Sequence, residues 1–351
     1  MKSQQKLSKR YTRKMTDNLF KKAAVFTDIH WGLRNNSKQH NQDCMDFVDW
    51  SIKTAKDKGC ETFIFCGDWH HQRASLNIST LKFSLEALRK LNDAFEKCYF
   101  ILGNHDLYYR ENREVNSVEF AKEFPNIVLV EETLVEGDVA IVPWLVGDEW
   151  KKIPKIKSKY MFGHFELPTF KLNAMVEMPD HGGLKGGMFK HQDYVFSGHF
   201  HKRQIKDNII YIGNAFPHNF SDSWDDERGL MTIEWGEDPE FFAWPHAPKY
   251  RNINLSTLLE DPGKYLLPKT SAKVSLDIDI SYEEANFIKD TFVETYNLRD
   301  ISLVPIKNTE HMEDTGAEIH FETIDEIVIT QISELYGTFD KNLLINIYNS
   351  L

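Results

Sequence analysis

Seven side chains of metal-binding type recur along the chain: Asp28, His30, Asp68, Asn104, His164, His199 and His201. Each stands just beyond one of five short apolar runs, Ala23–Phe26, Phe63–Cys66, Tyr99–Leu102, Tyr160–Phe162 and Tyr194–Phe196. Runs of this length bounded by glycine predict buried strands. The seven side chains therefore fall at strand ends, on the loops that α/β folds use for function. Carboxylate, amide oxygen and imidazole together suit borderline divalent ions such as manganese, iron or zinc. No cysteine stands among them, which argues against a structural zinc site. Seven donors exceed one tetrahedral set, and a carboxylate can bridge two ions. Two ions about 3.5–4 Å apart are a standard device for hydrolysing phosphoesters. A lone Asp-x-His or Gly-His is most often a structural feature; the series of five carries the reading.

The elements between these motifs must hold them. Apolar spacing predicts a helix near Asp43–Lys58, with Phe47, Val48, Ile52 and Ala55 on one face and Gly59 as its stop. A second is predicted near Thr80–Phe95, with Leu81, Leu85, Leu88 and Leu91. Up to Asn104 the pattern is strand–helix–strand–helix–strand. Beyond Val128 strands dominate: Ile127–Val130, Val139–Pro143, Ile209–Ile212 and Leu230–Trp235 join those already named. This mixture predicts an α/β two-sheet sandwich flanked by helices, in a domain spanning residues 21–245. His181–Gly187 reads as a mobile loop. Residues 246–307 carry a small β-α-β unit, with strands at Ala272–Ile280 and Ile301–Pro305 around a helix at Tyr282–Tyr296. Residues 308–351 comprise an acidic linker, Asn308–Glu318, and two amphipathic segments, Ile324–Leu335 and Lys341–Tyr348. Residues 1–20 are basic and polar and read as a flexible extension.

The chain has 351 residues, of which 41% are apolar, enough for a large core and a smaller second unit. Its net charge of −11 argues against a simple basic nucleic-acid coat. Bound cations can reverse that charge locally. Cys44, Cys60, Cys66 and Cys98 lack CxxC spacing and read as buried thiols in a reducing compartment. No run is long enough for a membrane span, and the N-terminus has no apolar signal core.

At Asp28-Ile29-His30, Gly67-Asp68, Gly103-Asn104-His105-Asp106, Gly163-His164 and Gly198-His199-Phe200-His201 the chain resembles the calcineurin-like metallophosphoesterases, whose five signatures these match in order. The protein-phosphatase branch continues its second signature with Val-Asp-Arg-Gly; Trp69-His70-His71-Gln72 departs from it. Asp28-Ile29-His30-Trp31-Gly32, Gly163-His164-Phe165-Glu166-Leu167 and Ser197-Gly198-His199-Phe200-His201 resemble the SbcD-type DNA repair nucleases, phage recombination endonuclease subunits among them.

That resemblance implies a first ion held by Asp28, His30, Asp68 and His201. It implies a second held by Asp68, Asn104, His164 and His199, with Asp68 bridging. His105 would face substrate and assist the leaving oxygen, Asp106 would orient it, and a metal-bound hydroxide would attack phosphorus. His71 closes the departing motif and is a candidate substrate contact, whereas Trp69 and His70 are expected to pack. His40, His181, His191, His218, His311 and His320 match no family position and are read as surface or structural residues, His218 being the least settled.

The resemblance further implies two divalent ions, manganese foremost with magnesium, iron or zinc as substitutes. It implies exonuclease action on duplex DNA ends and endonuclease action on single strands, in recombination and break repair. Residues 246–307 would form a capping domain, and the C-terminal helices would dock an SbcC-type ATPase. A homodimer in the cytoplasm of a phage-infected host completes the expectation. Two other readings compete: a stand-alone small-nucleotide phosphodiesterase, and a DNA-end-bridging scaffold with weak catalysis. The capping unit counts against the first, and the complete donor set against the second.

Overall fold

The apolar runs form strands, and the computed structural model, which describes residues 18–171 and 176–305, gathers them into two six-stranded sheets. β1 (Lys22–Phe26), β2 (Thr62–Phe65), β3 (Lys97–Ile101) and β4 (Ile127–Val130) lie side by side and parallel. The second sheet takes β5 (Leu134–Glu136), β6 (Val139–Val142), β7 (Tyr160–His164), β8 (Tyr194–Gly198), β9 (Gln204–Lys206) and β10 (Ile209–Tyr211), in the order β5-β6-β7-β8-β10-β9. Within it β6, β7, β8 and β10 are parallel, and β5 and β9 are antiparallel edges. β11 (Gly229–Glu234) and β12 (Glu240–Ala243) return to the first sheet, antiparallel beside β1.

Strands buried on both faces read as continuous apolar runs rather than alternating ones. Val25, Ile64 and Ile101 of the first sheet meet Ile141, Phe162 and Phe196 of the second in the layer between them. On the other face of the first sheet, Phe26, Phe65 and Phe100 pack against Phe47, Leu88 and Leu91 of two helices. The two-sheet α/β sandwich with outer helices is the fold that the sequence predicts.

The helices differ in detail from their periodicity. The first spans Lys38–Asp57 and starts five residues before its expected position, with the Ser37 side chain capping His40 N. Its first turn is polar yet buries His40 and Asn41: Asn41 accepts from Gly32 N at 2.9 Å and donates to Thr80 Oγ1 at 2.9 Å. The second spans Ile78–Ala94 and buries Thr80, Ser84, Ala87, Leu88 and Leu91, leaving Leu81 and Leu85 only half-buried. Its inner face is turned because Ser84 serves two buried partners, Trp69 Nε1 at 2.8 Å and His70 Nε2 at 2.9 Å.

β14 (Thr270–Leu276) and β15 (Asp300–Pro305) flank a helix at Tyr282–Thr295 that opens on a Ser281–Glu284 capping box. β13 (Lys249–Asn254), which the sequence reading did not anticipate, adds a third parallel strand. Arg299 Nη2 reaches Asp43 Oδ1 at 2.5 Å and Arg251 Nη2 reaches Asp226 Oδ2 at 2.5 Å, tying this sheet to the larger sandwich within one compact unit. His181–Gly187 runs into a short 3₁₀ turn at Gly186–Phe189 whose Phe189 is buried. All four cysteines are free and buried, as expected. Among the described residues no helix is long and apolar enough to cross a membrane. Residues 1–17, the acidic linker, both amphipathic tail segments, His311 and His320 lie outside the described residues.

Candidate metal centre

Because β1, β2 and β3 run parallel to one another, as do β7 and β8, their motif loops leave at C-terminal strand ends. The first sheet delivers Asp28, His30, Asp68 and Asn104; the second delivers His164, His199 and His201. Four of these side chains are aimed by an uncommon backbone: Asp28 (φ 51°), His30 (φ 52°), Asp68 (φ 61°) and His199 (φ 91°). Left-handed geometry costs a non-glycine residue about 1–2 kcal/mol. Cross-strand bonds hold it in place, with Asp28 N donating to Gly67 O at 3.0 Å and His30 N to Asp68 O at 3.2 Å. Two motif glycines are forced by close approach. A Cβ on Gly103 would lie 2.2 Å from Asp68 Oδ1, and one on Gly198 would lie 2.1 Å from Thr27 Oγ1.

The seven donors converge. His30 Nε2 lies 3.8 Å from Asp28 Oδ1, 3.7 Å from Asp68 Oδ2 and 3.3 Å from His201 Nε2. His164 Nε2 lies 3.5 Å from Asp68 Oδ2 and 3.1 Å from Asn104 Oδ1, which is 3.0 Å from His199 Nδ1. Donors about 2.1 Å from a shared ion stand roughly 3–4 Å apart, so both groups fit one. Asp68 Oδ2 belongs to both groups, as a bridging oxygen must. The far nitrogens of the second group are engaged: His164 Nδ1 donates to Cys66 O at 2.7 Å, and His199 Nε2 meets Glu166 Oε2 at 3.2 Å. In the first group His30 Nδ1 is buried without a partner among the described residues.

The electrostatics suit cations. Asp28 and Asp68 are 0% and 2% exposed. Burial alone would raise the Asp68 carboxyl, but the neighbouring His164 and His30 imidazoles pull it well below the usual carboxylate range. Burial alone would lower His164, but Asp68 outweighs it and pushes that imidazole up to about 9. Burial holds His30 well below the usual imidazole range against the pull of Asp68.

The remaining motif residues divide. Trp69 and His70 pack in the core, His70 between Ser84 and Ser117. His105 sits beside the donors: its N–H donates to Asp68 Oδ1 at 2.8 Å, and its ring lies 5.0 Å from that of His30. Its Nδ1 bonds to His71 O at 2.9 Å, and the His71 ring stacks on it at 5.4 Å. The residue that orients His105 is therefore His71, through its carbonyl, and this corrects the role expected of Asp106. Asp106 is fully buried, and its two carboxylate oxygens accept from the N–H groups of Asp68, Trp69, His70 and Gly103. Burial and Asp68 push its carboxyl up to about 7 against those bonds.

Three further residues border the centre. Glu166 holds His199, and Trp144 lies 5.1 Å from the His199 ring. Trp144, Trp150 and Glu166 line a small cavity of about 130 Å³ beside His164. His218, read from sequence as surface or structural, is 1% exposed with its ring 5.4 Å from His201 and 5.5 Å from His30. Its position in Asn214-Ala215-Phe216-Pro217-His218, shortly after the fifth motif, was the only signal available. His40 is structural, bonding His30 O at 3.0 Å, while His181 and His191 are exposed.

A two-sheet sandwich with these donors converging at one edge defines a metal-dependent phosphoester hydrolase. Residues 21–203 match the calcineurin-like phosphoesterase family, and the chain belongs to that family. It is similar to exonuclease subunit 1 of Enterobacteria phage T4, 29% identical over 236 residues that cover 65% of this chain and 68% of the relative. Among solved structures it is similar to the nuclease MPE of Pseudomonas putida, with 18% identity, a TM-score of 0.29 and coverage of 54% of this chain and 66% of that one. It is also similar to a dimetal phosphatase from Danio rerio, with 12% identity, a TM-score of 0.40 and coverage of 65% and 97%.

Proposed function

We propose that this chain is a metal-dependent DNA nuclease that hydrolyses phosphodiesters with two divalent ions, manganese foremost. The observation that carries the reading is the meeting of the donors around Asp68 Oδ2, 3.7 Å from His30 Nε2 and 3.5 Å from His164 Nε2. DNA as substrate is supported by the 29% identity to a phage exonuclease subunit. Asp28, His30, Asp68 and His201 would hold the first ion, and Asp68, Asn104, His164 and His199 the second. The ions supply a nucleophilic oxygen at neutral pH and neutralise the phosphoryl oxygens. Mixed imidazole and carboxylate donors suit manganese, iron or zinc better than magnesium.

The chain's own groups do the rest. With Nδ1 tied to the His71 carbonyl, His105 keeps Nε2 for substrate. From there it can stabilise a phosphoryl oxygen or pass a proton to the leaving oxygen. The Asp68 N–H and carboxylate are both fixed from the motif of His105, so the imidazole and the bridging oxygen keep one geometry. Duplex-end exonuclease and single-strand endonuclease action, in recombination and repair, belong to this reading. So do a homodimer, a host-cytoplasm location and an SbcC-type ATPase docked by residues 308–351. The word "subunit" in the relative's name supports a partner.

The test is nucleotide release from linear duplex DNA with Mn²⁺, comparing wild type with Asp68→Asn and repeating with the ATPase added. Release by wild type alone, stimulated by the ATPase, is expected. Hydrolysis of a small phosphodiester without release from DNA, with or without the ATPase, would overturn the reading.

A further inference from the structure

His218 carries an anomaly that packing does not resolve. A neutral imidazole has one N–H and one lone pair to satisfy. Both ring nitrogens of His218 are buried, and neither has a hydrogen-bond partner among the described residues. Its neighbours offer none: the rings around it are His30 at 5.5 Å, His201 at 5.4 Å, His40 at 5.5 Å and Phe216 at 5.1 Å. Phenylalanine would fill the same space among these rings without leaving two polar atoms buried and unpaired.

The backbone, not the ring, is what the protein anchors. His218 N donates to Asp222 Oδ2 at 2.8 Å, and His218 O accepts from Arg34 Nη2 at 2.6 Å. Upstream, Asn214 N donates to His201 O at 3.1 Å, fixing the loop to the fifth motif. So held, the loop brings one ring nitrogen of His218 within 4.8 Å of ligand nitrogens of both His30 and His201. Two donors on opposite sides of an ion at about 2.1 Å are roughly 4.2 Å apart, so a shift of well under an ångström would let the three imidazoles share one.

We propose that His218 is a third imidazole ligand of the first ion, beside His30 and His201. This rests on the reading that Asp28, His30, Asp68 and His201 hold that ion. The first site would then carry three nitrogen donors against two at the second, and would prefer borderline ions over magnesium more strongly than its neighbour does. One of the two unpaired nitrogens is then accounted for, since it meets the ion in place of a protein partner.

Calorimetric titration of the metal-free full chain with Mn²⁺ tests this, alongside the visible spectrum of the Co²⁺-loaded protein. Wild type, His218→Phe, His218→Gln and Asp68→Asn are compared, with thermal melting of the metal-free proteins as the folding control. His218→Phe is expected to weaken one of two Mn²⁺ sites by about tenfold or more, to spare the other, and to alter the Co²⁺ spectrum. If that variant does not fold, His218→Gln, polar but without imidazole, is read in the same way. Wild-type affinities and an unchanged Co²⁺ spectrum in the folded His218 variants, with sites lost in Asp68→Asn, would overturn the proposal and leave the two-ion reading standing. Wild-type Mn²⁺ binding by Asp68→Asn would overturn the two-ion reading itself.

Discussion

Around His164 and His199, each imidazole has a protein acceptor for the nitrogen turned away from the donors, Cys66 O and Glu166 respectively. Around His30 and His218 the corresponding nitrogens have no partner among the described residues. An imidazole whose far N–H is bonded has a fixed tautomer and ring angle before any ion arrives. One without such a bond is fixed by packing and by its backbone, left-handed at His30 and bonded to Asp222 and Arg34 at His218. The half of the centre around His164 and His199 is thus held by protein bonds, whereas the half around His30 and His201 keeps a buried nitrogen without one among the described residues. His105 lies beside this first half, its ring 5.0 Å from that of His30.

The sharpest way to break this contrast is at His105, which borders the first half but is tied to the protein through His71 O. His105→Ser is expected to slow DNA hydrolysis by about 10²- to 10⁴-fold while metal content stays at the wild-type level. Loss of an ion by elemental analysis would make His105 a ligand and erase the distinction. A smaller effect is expected at Glu166. Glu166→Gln removes the charged acceptor of His199 and should weaken one ion by about 10- to 100-fold in a Mn²⁺ titration, sparing the other. Equal weakening of both ions would mean that the halves are not independent.

The smallest effect is a proton count. Asp68 lifts His164 to about 9 despite burial, so in the metal-free protein it carries a proton at pH 7. A ligand nitrogen must be free of its proton, so metal uptake at pH 7 releases it. Calorimetry in buffers of different ionisation enthalpy should find about one proton released from this site at pH 7, declining as pH rises through 9. Heats independent of the buffer would show that His164 is already neutral and that the second half is less acidic in character than its geometry implies.

Much of this was legible in the residue order. Apolar runs ended by glycine locate the strands, and the motifs after them locate the donors, because both depend on local pattern. The errors arose where partners are distant in sequence. The polar first turn at His40 and Asn41 looked like loop because their partners, His30 O and Thr80, lie on other elements. Leu81 and Leu85 were expected on the inner face of their helix, but Trp69 and His70 turn that face towards Ser84. Asp106 follows a histidine and so suggests a dyad, but four N–H groups brought together by the fold claim its oxygens. His218 belongs to no motif, and its approach to His30 and His201 depends on the loop after β10 bonding to the segment after β8 through Asn214 N and His201 O.

The Asp106 carboxylate has a mechanical consequence. By gathering Gly103 from the β3 loop together with Asp68, Trp69 and His70 from the β2 loop, it welds two adjacent loops into one body. His105 rides on that body and so does the oxygen shared by the two donor groups. The hydrogen bonds from the Asp68 N–H to Asp106 and from the His105 N–H to Asp68 Oδ1 therefore fix the two residues in one frame, while Glu166 and Trp144 of the opposite sheet approach the same donors only through His199.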